Sequence, residues 1–384
     1  MRTVMVCGVG LHEFGRFPDK SFEELGQDAV LRALRDANNM PWSAVEAAFC
    51  GTMHGGTAAG HRVLARIGLT GIPIINVETG CASGSTAFAL AYQQVATGVC
   101  EVALAIGVEK MPRGFMRMTS YPQWQVLSGL AINPLEFSLR ATRHMAEFGT
   151  THEQLAKVSV KNHFNGALNP YAMYRREMTL EEVLASKMVC YPLRLLEFAA
   201  PGEGAAAVLL CTREVAARHA DRPVEVAAAC VGVAKYGTSR VAGGIGYMGH
   251  SAKVHNAEVA SVLSSKAYEI AGIGPRDVDL VELQDTDSSS EIILYEQLGL
   301  CEPGEGGRLV DQGDVDIGGS IPVNPSGGLL SCSEPTGASA LRQIAELAWQ
   351  LRGEAGPRQV TDAKVGLAQA SGAGGNCTVT ILKR

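Results

Sequence analysis

One order of elements occurs twice in this chain. Residues 22–38 read as an amphipathic helix with Leu25, Ala29, Val30, Ala33 and Ala37 on its apolar face. Pro41-Trp42-Ser43 follows as a turn, and residues 45–51 as an apolar strand. Residues 257–273 form a second helix, Gly274-Pro275-Arg276-Asp277-Val278 its turn, and Val281-Glu282-Leu283 its strand. Each copy then passes through a polar loop to a further helix and strand. The first series ends on the helix to Thr97-Gly98 and the strand over residues 102–107. The second ends on a helix over residues 336–353, a strand over 365–368 and the turn Gly372-Ala373-Gly374-Gly375. Two matching series of strands and helices can be buried in few ways. A duplicated α/β architecture with paired sheets is expected, and 384 residues suffice for it.

The loop of the first copy carries the strongest reactive candidate. Ile72-Pro73-Ile74-Ile75 reads as a short buried strand, and Phe88-Ala89-Leu90-Ala91-Tyr92 has helical character. Between them, Gly80-Cys81-Ala82-Ser83-Gly84 places Cys81 just as a helix begins. Unpaired N–H groups and the positive end of the helix dipole favour a thiolate there. Small flanking residues leave room for a substrate.

Composition narrows the class. Hydrophobic residues make up 46% and glycines number 44, which suits an α/β enzyme rich in tight turns. A net charge of −6 without a long basic run argues against nucleic-acid binding. Apolar runs such as residues 205–211 are too short to span a bilayer, so no membrane association is expected. The chain enters Val4-Met5-Val6-Cys7-Gly8-Val9-Gly10, a strand and glycine turn, with no room for a signal peptide. Ten cysteines without CxxC pairs fit a reducing, cytoplasmic setting and no metal site. His250 and His255, which follow Gly243-Gly244-Ile245-Gly246, read as solvated loop residues rather than ligands, and the glycines lack a phosphate loop's setting.

Several ordered segments resemble the thiolases, and most closely the thiolase-like part of the sterol carrier protein, or lipid-transfer-protein, subgroup. They include Gly71-Ile72-Pro73-Ile74-Ile75-Asn76-Val77 with Gly80-Cys81-Ala82-Ser83-Gly84-Ser85, Val108-Glu109-Lys110-Met111, Lys161-Asn162-His163, Asn169-Pro170-Tyr171 and Asn324-Pro325-Ser326-Gly327-Gly328. The resemblance implies a duplicated five-layered α/β/α/β/α fold with an inserted loop domain. Residues 1–110 and 189–255 would form the N-terminal half, 111–188 the loop domain and 256–384 the C-terminal half. It also implies an acyl-CoA substrate, coenzyme A as cosubstrate, no permanently bound cofactor, and a homodimer. Members of this altered kind resemble subunits that work with a separate zinc-ribbon/OB-fold partner.

Family sites use a nucleophilic cysteine, a histidine in a Gly-His-Pro turn, a second cysteine in a Cys-x-Gly-Gly-Gly turn, and in this subgroup a His-Asp-Cys-Phe segment. Here only Cys81 is intact. The three other positions read Ser333-Glu334-Pro335, Ala370-Ser371-Gly372 and Gln284-Asp285-Thr286-Asp287. The expected site is therefore Cys81 as nucleophile, Glu334 as base or as protonated donor, and Gln284 as an amide donor to a thioester oxygen. By resemblance, the backbone N–H groups of Cys81 and Gly372 form a second oxyanion hole. An ionised Glu334 would raise the Cys81 pKa, and Glu334 and Asp287 could also be plain hydrogen-bonded polar groups. No catalytic role is assigned to His163.

The expected function is a thiolase-type acyltransferase. It would cleave a bulky, aromatic or branched 3-oxoacyl-CoA with CoA, benzoylsuccinyl-CoA being one such substrate, through a Cys81 acyl thioester. The alternatives are a retro-aldolase acting on a β-hydroxyacyl-CoA of the steroid side-chain type, and a non-catalytic acyl-CoA- or lipid-binding subunit.

Overall fold

The computed structural model describes residues 1–114, 123–235 and 258–384. His250, His255 and the glycine run 243–246 lie outside the described residues.

In chain order the N-terminal elements are β1 Val4–Leu11, α1 Phe22–Asp36, β2 Ala47–Gly51, α2 Ala59–Ala65, β3 Ile74–Val77, α3 Ser83–Thr97 and β4 Val102–Lys110. The segment before the next strand of the main sheet carries α4 Gln123–Leu127, α5 Asn133–Phe148, α6 His152–Ala167, α7 Leu180–Ala185 and the small hairpin β5 Met188–Cys190 with β6 Leu193–Arg194. Then come β7 Glu203–Thr212, α8 Arg213–His219, β8 Val224–Val233, α9 Val259–Ala271, β9 Leu280–Glu282 and α10 Ser288–Gln297. The chain closes with α11 Gly306–Gln312, α12 Gly328–Cys332, α13 Ser339–Arg352, β10 Val365–Gly372 and β11 Asn376–Lys383.

The strands make one nine-stranded sheet in the order β3-β2-β4-β7-β1-β8-β11-β10-β9. Its two halves match. β2 and β4 run parallel, as do β9 and β10, and both halves continue with antiparallel pairs inward to β1 and β8. The expected paired sheets are thus hydrogen-bonded into one, through a seam of only Met5↔Glu225 and Val6↔Val224. Among the described residues the bridge Val281↔Val323 stands in the second half at the place that β3 takes in the first.

Five layers follow from which helix faces are apolar. α1 is capped by Ser21 and Glu24 and buries Leu25, Ala29, Val30 and Ala33 against the outer face of the N-terminal half. α3 and α13 fill the middle layer, where Phe88, Leu341, Ile344 and Leu347 share a core. α9 and α10 cover the outer face of the C-terminal half through Leu263, Ala267, Ile292 and Tyr295. Each fully buried Leu, Ile or Phe contributes roughly 1.5–3 kcal/mol, so these interfaces hold the layers together. The fold is the α/β class expected.

Two local readings change. Gly8 and Gly10 do not form a turn; they lie inside β1, where α1 packs so closely that a Cβ on Gly10 would meet the Ala29 carbonyl at 2.2 Å. β3 is not a buried strand but the sheet's edge, with Ile75 exposed. No helix among the described residues is long and apolar enough to cross a membrane.

Candidate active site

The end of β3 and the start of α3 hold Cys81 in a tight turn. Gly80 takes φ +64°, and its N–H donates to Glu78 Oε1 at 2.7 Å. The Ser83 hydroxyl donates to the Gly80 carbonyl at 2.6 Å and accepts from the Thr79 N–H at 2.9 Å. From the opposite half, the end of β10 closes over this turn. A Cβ on Gly372 would lie 1.9 Å from the Thr79 carbonyl oxygen, so no larger residue fits. Cys81, Glu334, Gln284 and Gly372 all line one small cavity of about 50 Å³.

Glu334 reaches the thiol from a strained turn after α12. Ser333 sits at φ 76°, ψ 170°, a region that side chains rarely adopt. Its N–H donates to the Leu329 carbonyl at 2.8 Å, and the Glu334 N–H donates to the Ala200 carbonyl at 2.9 Å. The Glu334 carboxyl accepts from Gln284 Nε2 at 2.6 Å, and the Cys81 thiol and Thr286 line the same cavity beside it. Burial pushes this carboxyl up to about 7, against the pull of the donors Cys81, Gln284 and Thr286.

The thiol moves in the opposite sense from the one its helix start implies. Burial raises the Cys81 pKa well above its ordinary value, and the Glu334 charge raises it further. Desolvation and a neighbouring carboxylate outweigh the helix dipole, so Cys81 rests as a thiol beside Glu334. The expected thiolate is corrected.

Gln284 is also placed differently from its expected role. Its Nε2 donates to Glu334 and, at 3.2 Å, to Thr286 Oγ1. Its Oε1 is buried without a partner. Both N–H donors are thus turned toward Glu334 and Thr286 rather than held open for a substrate oxygen. Asp287 is a helix cap, accepting from the Ser289 and Ser290 N–H groups at 2.9 and 3.1 Å. Asp285 accepts from Leu329 N–H at 2.7 Å and Asn162 Nδ2 at 2.8 Å, tying α12 to α6. At the position of the second cysteine, Ala370 packs with Ala82 and Ala340 and offers no polar group. Its neighbour Ser371 lines the Cys81 cavity instead.

A larger cavity of about 410 Å³ adjoins the first, sharing Asn133, Phe137, Thr286 and Glu334 with it. Its wall is mostly apolar and includes His163. Thr286 and Ser371 are the site residues that residue-by-residue reading left unassigned. Both lie inside the altered motifs, which was the available signal. Among the described residues there is no group of three or more side chains suited to hold a metal.

Comparison with known proteins agrees with this geometry. Residues 4–214 match the thiolase N-terminal domain and residues 247–384 the thiolase C-terminal domain-like family. The chain belongs to the thiolase family. This thiolase is 38% identical to human sterol carrier protein 2 over 405 residues, covering 100% of this chain and 72% of that protein. It is 38% identical to the acetyl-CoA acetyltransferase of Methanothermobacter thermautotrophicus, covering both chains completely at 100%. It is 34% identical to the benzoylsuccinyl-CoA thiolase subunit BbsB of Thauera aromatica, over 97% of this chain and 95% of that one. Among solved structures, the Ltp2-ChsH2(DUF35) aldolase superposes with a TM-score of 0.87 and 25% identity, covering 99% of this chain and 97% of that chain. The subgroup is the sterol carrier protein type, and the enzyme is an acyl-CoA C-acyltransferase of the thiolase kind. In this thiolase Cys81, at the strand-to-helix turn, and the buried carboxyl of Glu334 line the same small cavity.

Proposed function

We propose that this thiolase cleaves a bulky, aromatic or branched 3-oxoacyl-CoA with CoA, benzoylsuccinyl-CoA being an example, by way of an acyl thioester on Cys81. The observation that carries the reading is the Cys81 thiol sharing one small cavity with the buried Glu334, whose carboxyl is held at about 7. A base of that strength is half ionised at neutral pH, where general-base work is most efficient.

In the proposed sequence Cys81 Sγ attacks the C3 carbonyl while Glu334 takes the thiol proton. Backbone N–H groups of Cys81 and Gly372 receive the oxyanion. Collapse breaks the C2–C3 bond, the electron pair goes to C2, and the proton on Glu334 passes to C2 to release the shortened acyl-CoA. Glu334 then takes the proton of an incoming CoA thiol as its sulfur attacks the thioester, and returns that proton to Cys81. One carboxyl thereby serves both halves without a second cysteine. Gln284 positions it: its amide donates to the carboxylate, and after a half-turn its free Oε1 can accept from the carboxylic acid.

We assign residues 111–188 to a loop domain over the site, a reading supported by Asn133 and Phe137 of α5, which line both cavities. The exposed β3 edge, beside the nucleophile turn, supports a homodimer. BbsB is by name a subunit, and the similar aldolase pairs Ltp2 with ChsH2(DUF35); both support a separate zinc-ribbon/OB-fold partner.

Intact-protein mass spectrometry after mixing with 3-oxoacyl-CoA candidates tests the chemistry. An acyl adduct that maps to Cys81 and vanishes in Cys81→Ser is expected. The aldolase neighbour favours a second reading, in which Glu334 takes the proton of a β-hydroxyl and no covalent cysteine is needed. Near-normal cleavage by Cys81→Ser would support that reading against ours. No adduct and no product from any substrate would favour a binding subunit.

A further inference from the structure

We propose that the 410 Å³ cavity behind Glu334 receives the acyl fragment retained on Cys81, and that His163 selects uncharged, ring-bearing fragments with one hydroxyl or oxo group. The inference rests on the thioester reading above and adds a substrate class to it.

The cavity size falls in the usual range for ligand-sized sites, roughly 300–1,000 Å³. Phe137, Tyr174 and Phe198 give it aromatic walls, and Met111, Met178 and Leu196 fill the gaps between them. Flat walls and adaptable thioethers suit a ring better than a thin alkyl chain. Among the described lining residues there is no Lys or Arg. A carboxylate on the fragment would therefore lose its water without gaining a counter-charge.

Among the polar side chains of this wall, Thr286 and Glu334 belong to the Cys81 end and Asn133 is shared with it, whereas His163 lines only the large cavity. It lies on α6, 2% exposed, with its ring edge-on to Tyr174 at 6.1 Å between centroids. The side-chain donors of its helix neighbours are engaged: Lys161 Nζ sits 2.7 Å from Glu291, and Asn162 Nδ2 donates to Glu291 at 2.7 Å. His163 has no such anchor, and its Nδ1 is shielded from water without a hydrogen-bond partner. A buried imidazole left unpaired costs free energy, which a ligand group can recover. Burial holds its pKa at about 4, with the positive charge of Arg176 acting the same way. The ring is therefore neutral at pH 7, one nitrogen a donor and the other an acceptor. Arg176 itself is exposed, paired with Glu182 at 2.9 Å and outside the cavity lining, so it is not a contact counter-charge for a bound fragment. A neutral donor–acceptor in an apolar wall matches a hydroxyl or a carbonyl.

The test uses acylation of Cys81 by benzoyl-CoA, its three ring-hydroxylated isomers and 4-carboxybenzoyl-CoA. At least one hydroxylated isomer should acylate on the order of 3- to 10-fold faster than benzoyl-CoA, as one neutral hydrogen bond allows. The carboxylated probe should be slower by roughly 10²-fold or more. His163→Phe should erase the hydroxyl preference, read as the ratio of the hydroxylated to the unsubstituted rate in the same variant, while His163→Gln should retain part of it. Equal rates for all isomers, or a preference that survives His163→Phe, would overturn the proposal. If no adduct forms at all, the thioester reading fails. Calorimetric binding of the same probes to Cys81→Ala then decides the cavity separately, by the same preference and its loss in His163→Phe.

Discussion

The Cys81 thiol and the Glu334 carboxyl line one small cavity, and burial pushes the pKa of both upward. The pair therefore rests protonated on sulfur and half ionised on oxygen near neutral pH. That differs from a thiolate beside a cation: here the proton leaves sulfur only as the sulfur attacks. The reactive state is made by the substrate, and the resting enzyme is protected from stray electrophiles.

Acylation should follow the ionisation of Glu334. Because its carboxyl titrates at about 7, kcat/KM for acylation should rise with pH and reach half its plateau near that value. Glu334→Gln should flatten the profile and lower the rate by roughly 10²-fold or more. Rapid-quench acylation of wild type and variant across neutral pH checks this; a variant with wild-type rates removes Glu334 from the chemistry.

Stability should change with pH in the sense set by a raised carboxyl. Between its ordinary 4.5 and about 7, folded Glu334 holds a proton that the unfolded chain has released. Stability from this group is greatest below that window and declines as pH rises through it, by up to about 1.4 kcal/mol per pH unit. Glu197, also raised to about 7 by burial, adds a similar slope. Subtracting the pH slope of Glu334→Gln stability from that of wild type isolates the Glu334 slope, which should vanish below the window.

Alkylation of Cys81 should move against turnover. Removing the Glu334 charge lowers the thiol pKa, although burial, its larger cause, remains. Peptide-resolved iodoacetamide labelling at alkaline pH should be faster in Glu334→Gln than in wild type, even as acylation by substrate slows. Slower labelling in the variant would show that the carboxylate does not oppose the thiolate.

Ser333→Gly should stabilise the protein. Serine at φ 76° carries strain of about 1–3 kcal/mol, partly offset by the extra freedom of glycine in the unfolded chain. The Ser333 hydroxyl is also buried without a partner. A rise in Tm of several degrees is expected, with a smaller gain for Ser333→Ala, which keeps the backbone strain.

Gly372→Ala should do the reverse. Its Cβ would press to 1.9 Å from the Thr79 carbonyl and push the nucleophile turn away from β10. A loss of more than about 2 kcal/mol in stability is expected from such overpacking. The Cys81 acylation rate should fall with it, measured on the folded fraction.

Much of this was legible in the residues themselves. The strand-to-helix switch around Cys81 is local, so periodicity located it, and the second series located β9, α13 and β10. Glu334 was found because its Ser-Glu-Pro turn keeps the proline that ends the family motif. What stayed hidden depends on contacts distant in sequence. The thiol pKa is raised chiefly by burial, which no helix-start argument contains, although the opposing charge of Glu334 was readable from its turn. The donors of Gln284 are directed by Glu334 and Thr286, and the edge position of β3 depends on sheet order. The alanine-rich β7 and β8 carry too little alternation to declare which sheet they join.

The backbone around residue 334 is fastened independently of its side chain. The N–H groups of Ser333 and Glu334 donate to Leu329 and Ala200, and the Pro335 carbonyl accepts from Ala338 at 2.8 Å and Ser339 at 2.9 Å. This turn is a socket: whatever group is mounted there is delivered to the sulfur without the scaffold having to be rebuilt. A lineage built on it can trade one proton carrier for another through a single codon and keep its architecture.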